Sequence, residues 1–122
     1  IGERPRKDMP QLYSAVDAAL VPLAKNDLFK HARPSKIFDA WSCETPVILG
    51  IDGEARHLLN QCGGGLFYMP DNSENLAQKV MEMRDMGEEK TRRMGRDARA
   101  YVETYHSRTL YAKKLEHIIR DL

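Results

Sequence analysis

The stretch His31–Leu49 decides the fold: His-Ala-Arg-Pro-Ser-Lys-Ile-Phe-Asp-Ala-Trp-Ser-Cys-Glu-Thr-Pro-Val-Ile-Leu. Pro34 suits the first turn of a helix, where its missing N–H costs no hydrogen bond and its φ is already helical. The helix carries Ile37, Phe38 and Trp41 and runs to about Ser42, because Thr45-Pro46 ends it by geometry. Val47, Ile48 and Leu49 then form a short, wholly apolar run, the pattern of a strand covered on both faces. A loop, a helix with a donor-rich start and a buried strand together make one turn of a nucleotide-binding α/β fold.

The surrounding 122 residues are enough for one domain with a modest core. A formal net charge of +1 supplies no field that would point to nucleic acid or a membrane surface, so no nucleic-acid partner is expected. No secretory signal, transit peptide or apolar run of about 18 residues is visible. Cys43 and Cys62 stand apart without metal-ligand spacing and are too few for a disulfide framework, so a reducing cytoplasm is the expected location. Cys43, beside Trp41, reads as a small buried residue rather than a nucleophile.

Upstream, Ile1 to Asp8 is charged and reads as a connecting loop. Met9 to Val16 reads as a brief helix capped by Asp8. Asp17 to Leu23 reads as a buried parallel strand, since helical patterns flank it on both sides. Ala24 to Arg33 is a loop of mixed charge holding Lys25, Asp27, Lys30, His31 and Arg33. It lies between a strand's carboxyl end and a helix N-terminus, where open parallel sheets bind ligands.

Downstream, Glu54 to Gln61 reads as a short helix stopped by Gly63-Gly64-Gly65, residues that tolerate positive φ. Leu66 to Met69 is a third strand ended by Pro70, and Asp71-Asn72-Ser73 supplies a turn and an N-cap. Leu76, Val80 and Met83 mark one buried helix face. Gly87 breaks that helix and Met94-Gly95 reads as a second junction. Ala98, Tyr101, Val102 and Tyr105 give another stripe, and a last helix from about Ser107 carries Leu110, Leu115, Ile118, Ile119 and Leu122. The five methionines from Met69 to Met94 read as core filling. Alternating helices and strands mean α/β with a parallel sheet of about three strands. Doubly wound domains have about five or six strands, so the expected fold is the second half of a Rossmann-like domain with a helical C-terminal tail.

At the loop–helix junction the chemistry favours phosphate. A helix N-terminus offers unpaired N–H groups and the positive end of the macrodipole. The amides of Ser35, Lys36 and Ile37, the Ser35 hydroxyl and the Lys36 ammonium are candidate diphosphate contacts, with Arg33 or Lys30 adding charge from the loop. Asp39, one turn on, could accept bonds from the vicinal hydroxyls of a ribose. The plainer alternative is that Pro-Ser-Lys only starts a helix and Asp39 faces solvent. His31 is the one histidine in the candidate site; His57, His106 and His117 are scattered and lack metal spacing. No GxGxxG, Walker or GxSxG pattern is present.

These pieces resemble, in order, the C-terminal donor-binding domain of a GT-B glycosyltransferase of family 4, among the group 1 glycosyl transferases. The matching segments are 12–22 (Leu12 to Pro22), Pro34 to Ala40, Thr45 to Ile48, Gly53-Glu54-Ala55, Gly64-Gly65-Leu66, Asn75-Leu76-Ala77, Met94-Gly95-Arg96 and Tyr101-Val102. The closing amphipathic helix completes the run, and the Pro-Ser-Lys form is similar to enzymes of bacterial surface-polysaccharide assembly.

The resemblance implies an α/β fold and retaining transfer of a hexose from a nucleotide-diphosphate sugar to a saccharide or lipid-linked acceptor, without a metal or other cofactor. It places Asp39 where a glutamate usually binds the ribose, with one methylene less of reach. It places His31 where another glutamate usually approaches the donor sugar, and an imidazole cannot copy an acceptor-only carboxylate. Glu44 stands where the family has glycine before Thr-Pro; if φ is positive there, it costs about 1 kcal/mol.

The family's upstream half, with an Arg/Lys pair for the diphosphate, and its N-terminal acceptor domain have no counterpart in 1–122, read as a single partial domain. The expectations are an inactive isolated chain, peripheral membrane association of a full-length enzyme, and self-association through an uncovered sheet edge. The alternatives are a non-catalytic nucleotide-binding or assembly module and a nucleotide-sugar 2-epimerase of the same fold; the Pro-Ser-Lys and Met-Gly-Arg surroundings argue against the epimerase.

Overall fold

The computed structural model describes residues 2–24 and 26–122. Ile1, in the opening segment, and Lys25, in the charged loop, lie outside the described residues. After a 3-10 turn at Arg6–Asp8, helix α1 covers Met9–Ser14. Asp8, expected as its cap, makes no capping bond: it is itself helical (φ −87°, ψ −11°), and the turn before it already winds the chain into the helix. Strand β1 is Ala19–Pro22, α2 is Ser35–Ser42, β2 is Val47–Gly50, α3 is Glu54–Cys62 and β3 is Gly65–Phe67. Helices α4 (Ser73–Met86), α5 (Glu88–Tyr105) and α6 (Arg108–Arg120) follow.

The three strands form one parallel sheet in the order β1-β2-β3, with Ala19 beside Val47 and Val47 beside Gly65. This is the expected α/β, Rossmann-like arrangement with a helical tail. All four residues of β2 are buried, as its apolar run requires at the centre of a sheet. Strand β1 differs from the expectation of a buried strand. It is an edge of four residues on which Val21 is buried while Leu20 is 51% exposed. Leu20 shares a face with Ile48 by register, and α4 packs over β2 and β3 on that face. Pro22 is at home on an edge, where no ladder donor is needed.

The main core lies on the other face. Val21, Val47 and Leu49 meet Ile37, Ala40 and Trp41 of α2, Leu58 and Leu59 of α3, and Ala98 and Val102 of α5. The second face is thinner: Ile48 packs with Tyr68 and Met83. Of the five methionines expected in the core, Met83 alone is fully buried. Met69 and Met81 are nearly half exposed, and so is Val80, because they lie on the outer side of α4 or in a loop.

Glycines serve close packing or a turn at several places. Gly63 ends α3 in the left-handed conformation (φ 65°). Gly64 faces the Trp41 indole, where a Cβ would come within 2.6 Å of Nε1. Gly95, expected at a helix junction, instead lies inside the unbroken α5. A Cβ there would collide with the Glu44 carbonyl, so glycine lets α5 touch the turn between α2 and β2. The buried face of α5 is accordingly Thr91, Gly95, Ala98 and Val102, while Tyr105 is exposed. Gly87 (φ 86°) does separate α4 from α5. Asn72 caps α4 by accepting from the Asn75 amide at 2.9 Å, and Ser107 caps α6 by accepting from Leu110 at 3.1 Å. On α6, Leu115, Ile118 and Ile119 are exposed.

Glu44 holds φ 60°, a left-handed conformation that costs a residue with a Cβ about 1 kcal/mol. Its ion pair with Arg99, at 3.5 Å and half exposed, offsets little of that. Glu44→Gly is therefore expected to raise stability by about 1 kcal/mol, and Gly95→Ala to lower it by about 2 kcal/mol, both read by urea unfolding.

Cys62 is buried, and burial pushes its thiol from 9.0 up to about 11. The folded chain then holds this proton more tightly than the unfolded chain, so stability falls as the pH rises from about 9 toward about 11. Tyr13, Tyr68 and Tyr101, also raised by burial, add to the alkaline decline. Cys62→Ala is expected to lose only the thiol's share, measured as a shallower fall in unfolding free energy across that range.

Candidate functional site

The carboxyl ends of all three strands meet at a small cavity of about 110 Å³. Leu23 and Ala24 reach it from β1, Gly50, Ile51 and Asp52 from β2, and Met69 and Pro70 from beyond β3. Asn26, Asp27, Phe29 and Lys30 complete its lining. Parallel strands send their connections out at this edge, so the starts of α2 and α3 lie on the same side, where open α/β sheets bind ligands.

The charged loop is more ordered than its composition suggests. Asp27–His31 is a 3-10 helix begun by Asn26, whose side chain accepts from the Leu28 amide at 3.0 Å. The Ala32 amide donates to the Phe29 carbonyl at 3.0 Å, and the chain then extends to Pro34. Pro34 is the N-cap of α2 (φ −60°, ψ 134°), one place earlier than the first-turn position expected for it. Its carbonyl accepts from the Ile37 amide at 3.1 Å. Ile37, whose side chain is fully buried, therefore has no free amide for a ligand, contrary to expectation. The Ser35 and Lys36 amides come too early in the helix for intrahelical partners and stay available. Both residues are exposed, and Lys36 has no ion-pair partner among the described residues.

Asp39 is exposed on α2. Burial raises the pKa of the Tyr13 hydroxyl and of the half-buried Cys43 thiol, and the charge of Asp39 adds to both. The carboxylate thus lies within electrostatic reach of Tyr13 on α1 and of Cys43 at the end of α2. Lys30 pairs with Asp27 at 3.1 Å on the surface.

Glu54, the first residue of α3, gathers the other candidates. Its Oε2 accepts from Arg33 Nε at 2.7 Å, and its Oε1 lies 3.2 Å from His31 Nδ1. These contacts, His31 first and Arg33 second, hold the Glu54 carboxyl below its usual range. A second feature presses the loop onto α3. Gly53, with φ 94°, lies so close to the Lys30 carbonyl that a Cβ would collide with it. The Gly53-Glu54 pair opening the second carboxyl-edge helix was the sequence signal for this cluster: a glycine for close approach followed by an acid in the first helical turn.

The remaining histidines lie elsewhere. His106 joins Phe38, Tyr101 and Tyr111 where α5 meets α6, with Nδ1 2.7 Å from the Tyr111 hydroxyl; burial lowers its pKa. His117 lies 3.3 Å from Asp121. Among the described residues, no group of three or more His, Cys, Asp or Glu could hold a metal ion. No helix among the described residues is long and apolar enough to cross a membrane.

A parallel α/β domain with two helix N-termini beside a cationic loop at its carboxyl edge is of the Rossmann-like class. The chain belongs to the glycosyl transferases group 1, whose family model matches residues 1–101, from the opening segment to Tyr101 on α5. It is a glycosyltransferase domain. No curated protein and no solved structure matches it.

Glu54 gives the site a pH signature. Because its folded pKa is depressed, its contribution is complete above the ordinary carboxyl value of 4.5 and is lost as the pH falls through the lower folded value. Melting curves of wild type and Glu54→Gln are expected to differ slightly at neutral pH and to converge in acid, with added salt shrinking the difference.

Proposed function

We propose that this domain binds the donor of a retaining, family 4 type hexosyl transfer, with a nucleotide-diphosphate sugar as donor and a saccharide or lipid-linked acceptor in glycan synthesis. The observation that carries this reading is the open start of α2 at the carboxyl edge of the sheet. There the Ser35 and Lys36 amides are unpaired and the Lys36 ammonium has no ion-pair partner among the described residues. As the sugar–phosphate bond breaks, negative charge collects on the departing diphosphate. Fixed N–H dipoles and an ammonium stabilise that charge more than they stabilise the intact donor, which is what speeds a reaction.

In this reading Ser35 and Lys36 hold the diphosphate and Asp39 accepts the ribose hydroxyls. Ile37 serves as the buried anchor of the helix rather than as a donor. Arg33 and His31 face the donor's phosphate or sugar from the loop. The leaving group needs no metal, because helix end and cations share its charge. An N-terminal domain would bring the acceptor, a second copy could pair with the open β1 edge, and the enzyme would work in the cytoplasm, peripherally at a membrane where the acceptor is lipid-linked.

Calorimetry of the complete enzyme with UDP and with GDP tests the site. Lys36→Ala and Asp39→Ala are each expected to weaken the preferred nucleotide about tenfold. Wild-type affinity in both variants would show that the site is misplaced.

A further inference from the structure

Glu54 spends both carboxylate oxygens on the loop after β1, one toward His31 Nδ1 and one toward Arg33 Nε. An ionised carboxylate has no proton to give, so Nδ1 must be the donor in its contact with Oε1. In the neutral ring the other nitrogen, Nε2, is then a bare lone pair. The His31 side chain is 85% exposed, so that lone pair is open to a ligand. Arg33 is held through Nε alone, which leaves its two terminal nitrogens outside the pair. The close approach of Gly53 to the Lys30 carbonyl seats the loop backbone against the start of α3.

We infer that Glu54 is a positioning residue for donor recognition: it fixes His31 as the Nδ1–H tautomer, so that Nε2 accepts a hydrogen bond from a hydroxyl of the transferred sugar. This rests on the donor-binding reading above. A neutral histidine without such a partner favours Nε2–H and would present a donor at its exposed edge. With its proton committed to Glu54, the ring presents an acceptor there instead. The mismatch expected from sequence, an imidazole that cannot copy a carboxylate, is thereby reduced at the one nitrogen a ligand can reach. The arrangement follows the general habit by which a carboxylate behind a histidine sets which nitrogen is free.

Two measurements test this. Nitrogen NMR of the imidazoles is expected to show His31 as Nδ1–H in wild type and as mainly Nε2–H in Glu54→Ala, with His57 and His117 unchanged. Calorimetry of the complete enzyme then compares UDP with UDP-glucose and GDP with GDP-mannose. The affinity added by the sugar, read as the ratio of the two constants within each variant, is expected to fall about fivefold in Glu54→Ala and in His31→Ala and no further in the double variant. A His31 tautomer indifferent to Glu54→Ala, an unchanged sugar contribution, or additive losses would each overturn the inference. Wild type that binds neither nucleotide would overturn the donor-site reading and this inference with it, whereas nucleotide binding without a Glu54 effect overturns the inference alone.

Discussion

The Trp41 indole N–H and the Val47 amide both donate to the carbonyl oxygen of Gly64, each at 3.0 Å. One buried oxygen thus uses both lone pairs to tie α2 to the centre of the sheet and to the turn that leads into β3. Losing either donor would leave a buried polar atom short of a partner in a low-dielectric core, where the cost is highest. The indole itself is fully buried, and the glycine beside it leaves the space that a Cβ would take from its Nε1. On the far side, the Ala98 methyl closes over Gly64, and Gly95 lets α5 lie against the Glu44 carbonyl. Helix α2 is therefore fixed along its length, and its start cannot drift from the edge of the sheet.

Under the proposed donor-binding reading that rigidity matters, because such binding depends on where N–H groups point. A phosphate held by two amides and an ammonium gains from preorganisation, not from flexible reach. The same edge carries a second helix start, that of α3, whose first residue is an acid. The two helix ends have opposite tasks. The first leaves its donors open, and the second uses Glu54 to hold the loop that lies between them. Positive charge at the edge is thereby sorted: Lys30 is neutralised by Asp27, Arg33 is partly committed to Glu54, and Lys36 stays open.

Much of this was legible in the residues. Val47-Ile48-Leu49 announced a central strand, Pro34 a helix start, and Gly63, Gly87, Asn72 and Ser107 the ends of helices, because each depends on backbone preferences within a few residues. The candidate site was legible as a place, between a strand end and a helix start, and Ser35 and Lys36 are exposed at the start of that helix, whereas Asp39 is coupled to Tyr13 and Cys43. Its wiring was not. Ile37 reads locally as a free donor, but its amide donates to the Pro34 carbonyl at 3.1 Å and closes the first turn. Glu54 is separated from His31 by 23 positions, and no local pattern couples them.

By itself, then, the sequence determined the alternation of strands and helices through β3 and the parallel α/β class. Both follow from periodicity and from proline, glycine and capping chemistry acting over one or two turns. Only the tertiary structure decided that β1 is a half-exposed edge, that Gly95 permits a helix crossing rather than ending a helix, and that Glu54 binds His31 and Arg33. Those outcomes depend on which surfaces meet after the chain closes on itself. A contact between distant residues is selected by packing around Trp41 and the central strand, and the local backbone carries no record of it.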